Sequence, residues 1–148
     1  MNEQDNNVSF FRFEDLRIYA KAMDYIAWLY EETADFIKGN DLSNKNFLVE
    51  SFLKSAQNIA MNMAEGSSRN KTQFLYYLKM AKSSVRECVV FTEISSKLQL
   101  MTNDSYEYSR NQLMELTKMV GSLIASLQRN SSLTNRDEKE EEFDESIF

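Results

Sequence analysis

Residues 51–87 read SFLKSAQNIAMNMAEGSSRNKTQFLYYLKMAKSSVRE, two apolar-periodic stretches on either side of a polar break. Upstream of the break, Leu48, Phe52, Ala56, Ile59 and Met63 recur at steps of three and four, the spacing that puts side chains on one face of a helix. A helix is expected from about Ser43 or Asn44 to Glu65. Gly66 follows where a helix C-cap favours the left-handed conformation that glycine adopts without penalty. Ser67, Ser68, Arg69 and Asn70 then form a connection short enough to imply antiparallel neighbours.

Downstream, the pattern resumes as the longest expected helix, about Lys71 to Leu100. One apolar arc holds Phe74, Leu78, Ala81, Val85, Cys88 and Val89. Wrapping at about 100° per residue puts Tyr76, Met80, Phe91, Ile94 and Leu98 on a second arc, which a single bundle neighbour cannot cover as well. Lys71, Lys79, Lys82 and Arg86 share a remaining arc of about 80°.

Two further periodic segments flank this pair. The first is expected from about Phe13 to Lys38, with a heptad seam of Leu16, Ala20, Met23, Ala27, Tyr30, Ala34 and Ile37. Ile26, Trp28, Leu29 and Phe36 lie off that seam. Gly39, Asn40 and Asp41 supply its stop and turn. The last helix is expected from Asn103 or Asp104, with Asp104 and Glu107 at capping-box spacing and a seam of Tyr106, Leu113, Leu116, Val120, Leu123 and Leu127. Gly121 inside it costs about 1 kcal/mol relative to alanine, which suggests close approach of another backbone. The expected architecture is therefore all-α: an antiparallel up-down-up-down four-helix bundle over residues 13–129, between an N-terminal segment (1–12) and a polar to acidic C-terminal tail (130–148).

Composition agrees with this reading. The 148 residues include no proline and three glycines, and a chain of this length can bury about two thirds of the surface it exposes when unfolded. The net charge of −6 is unevenly placed. Residues 136–148 carry seven acids and two bases, net −5, which leaves −1 for residues 1–135. Between Lys54 and Lys97 seven bases face three acids, so the middle of the chain is basic by +4. No apolar run approaches the roughly 18–20 residues of a membrane span. The opening residues lack the basic start and apolar stretch of a secretory signal, and the expected compartment is the cytoplasm.

Chemical candidates are few. There is no histidine, so the Glu-x-x-His and zinc ligand sets through which bundles become metalloenzymes are missing. No phosphate-cradling glycine loop, catalytic Ser-His-Asp set or paired-cysteine motif occurs. Cys88, on an apolar arc, reads as core packing, with a reactive thiol as the alternative. The expectation is a protein that is no enzyme, with no metal or other cofactor.

The order Asn62, Ala64, Glu65, Gly66, Arg69, then Phe74, Leu78, Ala81, Ser84, Glu87 resembles the N-x-A-E-G-x-x-R and F-x-x-x-L-x-x-A-x-x-S-x-x-E signature of the four-helix-bundle proteins encoded in intervening sequences of bacterial 23S ribosomal RNA genes. The resemblance runs from about Phe13 to Leu127. Lys54, Ala60 and Ser83 stand where that family commonly has Arg, Pro and Gly. The resemblance implies a ring-like homopentamer. It also implies kinship with the accessory variability protein of diversity-generating retroelements, which binds nucleic acid and a reverse transcriptase.

The signature residues Asn62, Glu65, Gly66, Ser84 and Glu87 read first as structural: Asn62 bonding to nearby backbone, Glu65 accepting from Arg69 or from amides at the start of the next helix. Glu87 calls for a basic partner, Lys54 or an arginine of a neighbouring subunit. Arg69, Lys71, Lys79, Lys82 and Arg86 are candidate nucleic-acid contacts, although a row of lysines on a helix is also what a solvated face looks like. Trp28, Tyr76, Met80, Phe91 and Ile94 are candidate oligomer contacts. The functional expectation is an oligomeric binding or scaffold protein associating with RNA, DNA or a nucleic-acid enzyme; a protein-only adaptor is the alternative. The acidic tail would either mimic phosphate at the basic patch or keep the assembly soluble.

Overall fold

In the computed structural model, which describes residues 10–37 and 42–134, a 3-10 turn at Arg12–Asp15 precedes four helices. They are α1 (Arg17–Ala34), α2 (Leu42–Ser67), α3 (Lys71–Lys97) and α4 (Asn103–Thr134). A second 3-10 turn, Asp35–Ile37, closes α1. The expected stop at Gly39 lies outside the described residues, as does the tail from Asn135 onward; residues 130–134, expected to open the tail, instead continue α4.

Local chemistry sets the helix ends. Asn70 caps α3, its side-chain oxygen accepting from the Gln73 amide at 3.0 Å. At the other end α3 stops three residues earlier than the sequence suggests. The Leu100 amide donates to the Ser95 carbonyl and the Gln99 amide to that of Ser96, a Schellman closure with Gln99 in the left-handed position at φ 56°. The cap of α4 is Thr102 and not the expected Asp104–Glu107 box: Thr102 Oγ1 accepts from the Ser105 amide at 3.1 Å. The helix begins at Asn103, so the hydroxyl just before it meets the orphan amide, and Asp104 sits in the first turn, where a carboxylate favours the helix dipole.

Pairwise contacts give the direction of each helix. Gly66 lies against Tyr77, Ser55 bonds Glu87 and Phe52 stacks on Phe91, so a step forward in α2 is a step back in α3. Thr92 with Ser109 and Glu93 with Tyr106 relate α3 to α4 in the same antiparallel sense, as do Tyr25 with Ser109 and Lys21 with Glu115 for α1 and α4. The order is up-down-up-down. No helix among the described residues is long and apolar enough to cross a membrane.

The core follows the expected faces in three helices. In α2, Phe52, Ala56, Ile59 and Met63 are fully buried and Leu48 nearly so; in α3, Leu78, Ala81, Val85 and Cys88; in α4, Leu113, Leu116 and Val120. In α1 the expected seam is wrong. Ala20, Met23, Ala27, Tyr30 and Ala34 are exposed, and the buried stripe is Ile18, Ala22, Tyr25, Leu29, Thr33 and Phe36, joined by Ile26. Both stripes step by threes and fours. The observed one buries large side chains where the other offers three alanines, and each buried methylene contributes about 0.8 kcal/mol.

Both glycine expectations also change. Gly66 is buried inside α2 and no described glycine has a positive φ, so it is not a left-handed cap. An added Cβ would lie 2.5 Å from Tyr77 Cβ and 3.0 Å from Phe74 Cδ2; glycine is needed because α3 packs directly on the α2 backbone. Gly121, expected to mark such an approach, has nothing within 4 Å of where its Cβ would be.

Candidate functional site

The signature residues line the join of α2 and α3. Asn62 donates from Nδ2 to the Asn58 carbonyl at 2.8 Å, and Ser84 from Oγ to the Met80 carbonyl at 3.2 Å. Each satisfies itself within its own helix. Glu65 accepts from Arg69 at 2.5 Å, as expected, and the Arg69 guanidinium lies 5.1 Å from the centre of the Tyr77 ring. Glu87 accepts from Ser55 Oγ of α2 at 2.7 Å, where a basic partner was expected. The carboxylate is exposed, so water shares its solvation and one hydroxyl donor suffices.

Beyond this join, α3 turns an apolar face outward. Tyr76, Met80, Val90, Ile94 and Leu98 are between 38% and 60% exposed. With Ser83 and Glu87 they form the series 76, 80, 83, 87, 90, 94, 98, alternating steps of four and three up to Ile94. That is a second heptad seam on a helix whose inner seam is already buried. Two of the expected contact residues do not belong to it. Phe91 is half-buried and stacks on Phe52 with ring centres 5.5 Å apart, and Trp28 packs between Tyr25 and Tyr108 at 5.7 and 4.7 Å. Four members of the outer seam, Tyr76, Met80, Ile94 and Leu98, were already on the expected second arc; Val90 was not.

The basic edge runs beside it. Lys71, Lys79, Lys82 and Arg86 share their arc with Glu93 when α3 is wrapped at about 100° per residue. Glu93 accepts from Tyr106 and Arg110 of α4, which places the edge on the α4 side of the helix. Lys71, Lys79 and Lys82 are half-buried and Arg86 is exposed. Arg69, expected to extend the row, is taken by Glu65 and Tyr77. The bond to Glu93 also raises the Tyr106 pKa from its ordinary value.

Sequence reading did not anticipate a polar layer inside the bundle. Tyr25 of α1, Ser109 of α4 and Thr92 of α3 are buried and joined hydroxyl to hydroxyl, 2.8 Å at each link, and Thr92 also donates to the Cys88 carbonyl. Burial pushes the Tyr25 phenol and the Cys88 thiol well above their ordinary values. A buried, protonated thiol is a poor nucleophile, in keeping with a packing role. Among the described residues no group of three or more His, Cys, Asp or Glu could hold a metal ion.

A crystal structure of a protein of unknown function from the S23 ribosomal protein family of Bacteroides thetaiotaomicron shares this fold, with a TM-score of 0.66 at 17% identity over 73% of this chain and 95% of that one. No curated protein matches the chain. The profile of the 23S rRNA-intervening sequence proteins matches residues 14–122, a span that takes in the join of α2 and α3, the outer seam and the basic edge. The chain is a member of the 23S rRNA-intervening sequence protein family.

Proposed function

We propose that this protein is a non-enzymatic cytoplasmic scaffold that assembles with copies of itself through the outer seam of α3 and offers the adjoining basic edge to nucleic acid, or to an enzyme working on nucleic acid such as a reverse transcriptase. The observation that carries this reading is the pairing of two chemistries on one helix. A heptad seam is complementary to another helix, and a contiguous exposed apolar stripe on a monomer marks an interaction surface. Glu87, held by Ser55 in the middle of the stripe, is a polar residue of the kind that fixes register and stoichiometry where an all-apolar seam would not. Assembly multiplies the basic edge, and phosphate binding depends on the number of charges on one surface.

Binding of labelled RNA and DNA across a salt series tests the nucleic-acid part. Affinity is expected to fall steeply with salt, with little base preference. Replacing Lys79, Lys82 and Arg86 by glutamine should lower the slope of log K against log salt by about 2 to 3. No binding to either polymer at about 50 mM salt, a condition that favours phosphate contacts, counts against it. A protein-only adaptor is the second reading, favoured by the engagement of Arg69 with Glu65.

A further inference from the structure

Resting on assembly through the outer seam of α3, we infer that this seam docks on the outward face of α1 in a second copy of the chain, with the two helices parallel and the contact repeating head to tail from copy to copy.

Two heptad stripes are left outside the core, and they sit at opposite corners of the bundle. Helices α1 and α3 each pack on α2 and α4, so their outward faces point away from each other. On α1 that face is the stripe the core does not use: Ala20, Met23, Ala27, Tyr30 and Ala34, with Met23 42% and Tyr30 50% exposed. Wrapping α1 at about 100° per residue puts the exposed Asp24 and Glu31 along one edge of the stripe, on the side of Lys21, which pairs with Glu115 of α4. On α3 the exposed Arg86 and Lys97 flank the seam on the side of Glu93, which meets Tyr106 of α4. Both outward faces therefore carry an apolar stripe with a charged edge toward α4, acidic on α1 and basic on α3. Because α1 and α3 run in the same direction, a copy set alongside without inversion lays stripe on stripe and acid on base. A two-fold contact of α3 with itself does neither. Its antiparallel form sets bases against bases, and its parallel form sets them against the partner's apolar stripe.

The polar layer sets the register. Ser109 bonds both Tyr25 and Thr92, so these two residues share one level of the bundle, and Met23 is level with Val90, Ala27 with Ile94 and Glu31 with Leu98. A contact without axial shift sets the small Ala27 against the larger Ile94, and Glu31 beside Lys97. Asp24, level with Phe91, lies five residues beyond Arg86, about 7.5 Å along the axis, and charges flanking a parallel heptad seam pair across such an offset. Arg17, at the start of the same edge of α1, is level with Ser84, so the charge match belongs to the half of the seam between Arg86 and Lys97. Lys71 and Lys82 stay outside the contact and are left for phosphate. Each copy offers one α3 seam and one α1 face, so association continues until a ring closes or a fibre grows.

Cysteines introduced singly and together at Ala27 and Ile94, both exposed, test the pairing in the full chain, where Cys88 is buried and its thiol held protonated. The probe is a bismaleimide spanning about 8 Å, the lower end of helix-to-helix separations, and the products are read on a denaturing gel. The chain carrying Ala27→Cys and Ile94→Cys should give a ladder of multiples, and an equimolar mixture of the two single variants should give a dimer. Each single variant alone should couple several-fold less. A double variant with Ala27→Cys and Tyr76→Cys, whose second site lies about 27 Å off level, should also couple several-fold less than the in-register pair. Self-coupling by the Ile94→Cys variant as strong as the mixed product overturns the inference in favour of a two-fold contact and leaves the α3 seam standing as the assembly surface. So does an unaltered chain that assembles while no pair couples. A monomeric unaltered chain, again without coupling, removes the assembly reading itself. Arg86→Glu should weaken association several-fold and Asp24→Arg in the same chain should restore it; loss without rescue contradicts the parallel register.

Discussion

At the scale of single residues, two glycines in helices have opposite meanings. At Gly66 a methyl group would meet the Tyr77 Cβ at 2.5 Å, and neither backbone can move without parting α2 from α3. Gly66→Ala should therefore destabilise the fold by about 1–3 kcal/mol. At Gly121 the same methyl meets nothing, and Gly121→Ala should stabilise by about 1 kcal/mol through helix propensity alone. Chemical denaturation of the two variants measures both, and a stabilising Gly66→Ala would refute the close packing. Gln99 is a third case. It holds the left-handed position at φ 56°, where a side chain costs about 1–2 kcal/mol; Gln99→Gly recovers part of this, less the freedom glycine adds to the unfolded chain. Sequence reading could identify these glycines as unusual but not say why, because the reason lies in the distance to another helix.

At the scale of elements, the inner faces of α2 and α4 were legible because each had one apolar stripe clearly larger than its rivals, while α3 carried two, of which the arc of Leu78, Ala81, Val85 and Cys88 is the buried one. Helix α1 carries apolar residues on most of its circumference, so periodicity alone favoured Ala20, Ala27 and Ala34, while volume decided for Ile18, Tyr25, Leu29 and Phe36. The polar layer was not legible at all, since nothing local tells that Tyr25, Thr92 and Ser109 meet. It makes a pH prediction. The Tyr25 phenol and Cys88 thiol are raised by burial, so the unfolded chain ionises them first, from about pH 8.5–10. The stability they contribute is complete below that range and is lost as pH rises toward their folded values. Thermal melts should fall on the alkaline side, and less so for Tyr25→Phe. At neutral pH that variant should cost about 0.5–1.5 kcal/mol, because Ser109 keeps its bond to Thr92. An alkaline limb identical in the two proteins would contradict the burial of the phenol.

At the scale of the whole molecule, the central claim is that the outer seam of α3 is an assembly surface. Phe91, which the sequence placed on that surface, is tied to Phe52 and packs against the core, so a charge there would disturb the fold and test nothing about association. Met80 and Ile94 are exposed members of the seam on either side of Glu87. A double Met80→Glu, Ile94→Glu change puts charge on the seam and leaves the core alone. The decisive measurement is molar mass in solution by light scattering at micromolar concentration, with helix content checked by circular dichroism. The unaltered chain should give a discrete multiple of 17.3 kDa, and the double variant should give the monomer mass with its helices intact. A monomeric unaltered chain, or a double variant of undiminished mass, would contradict the account.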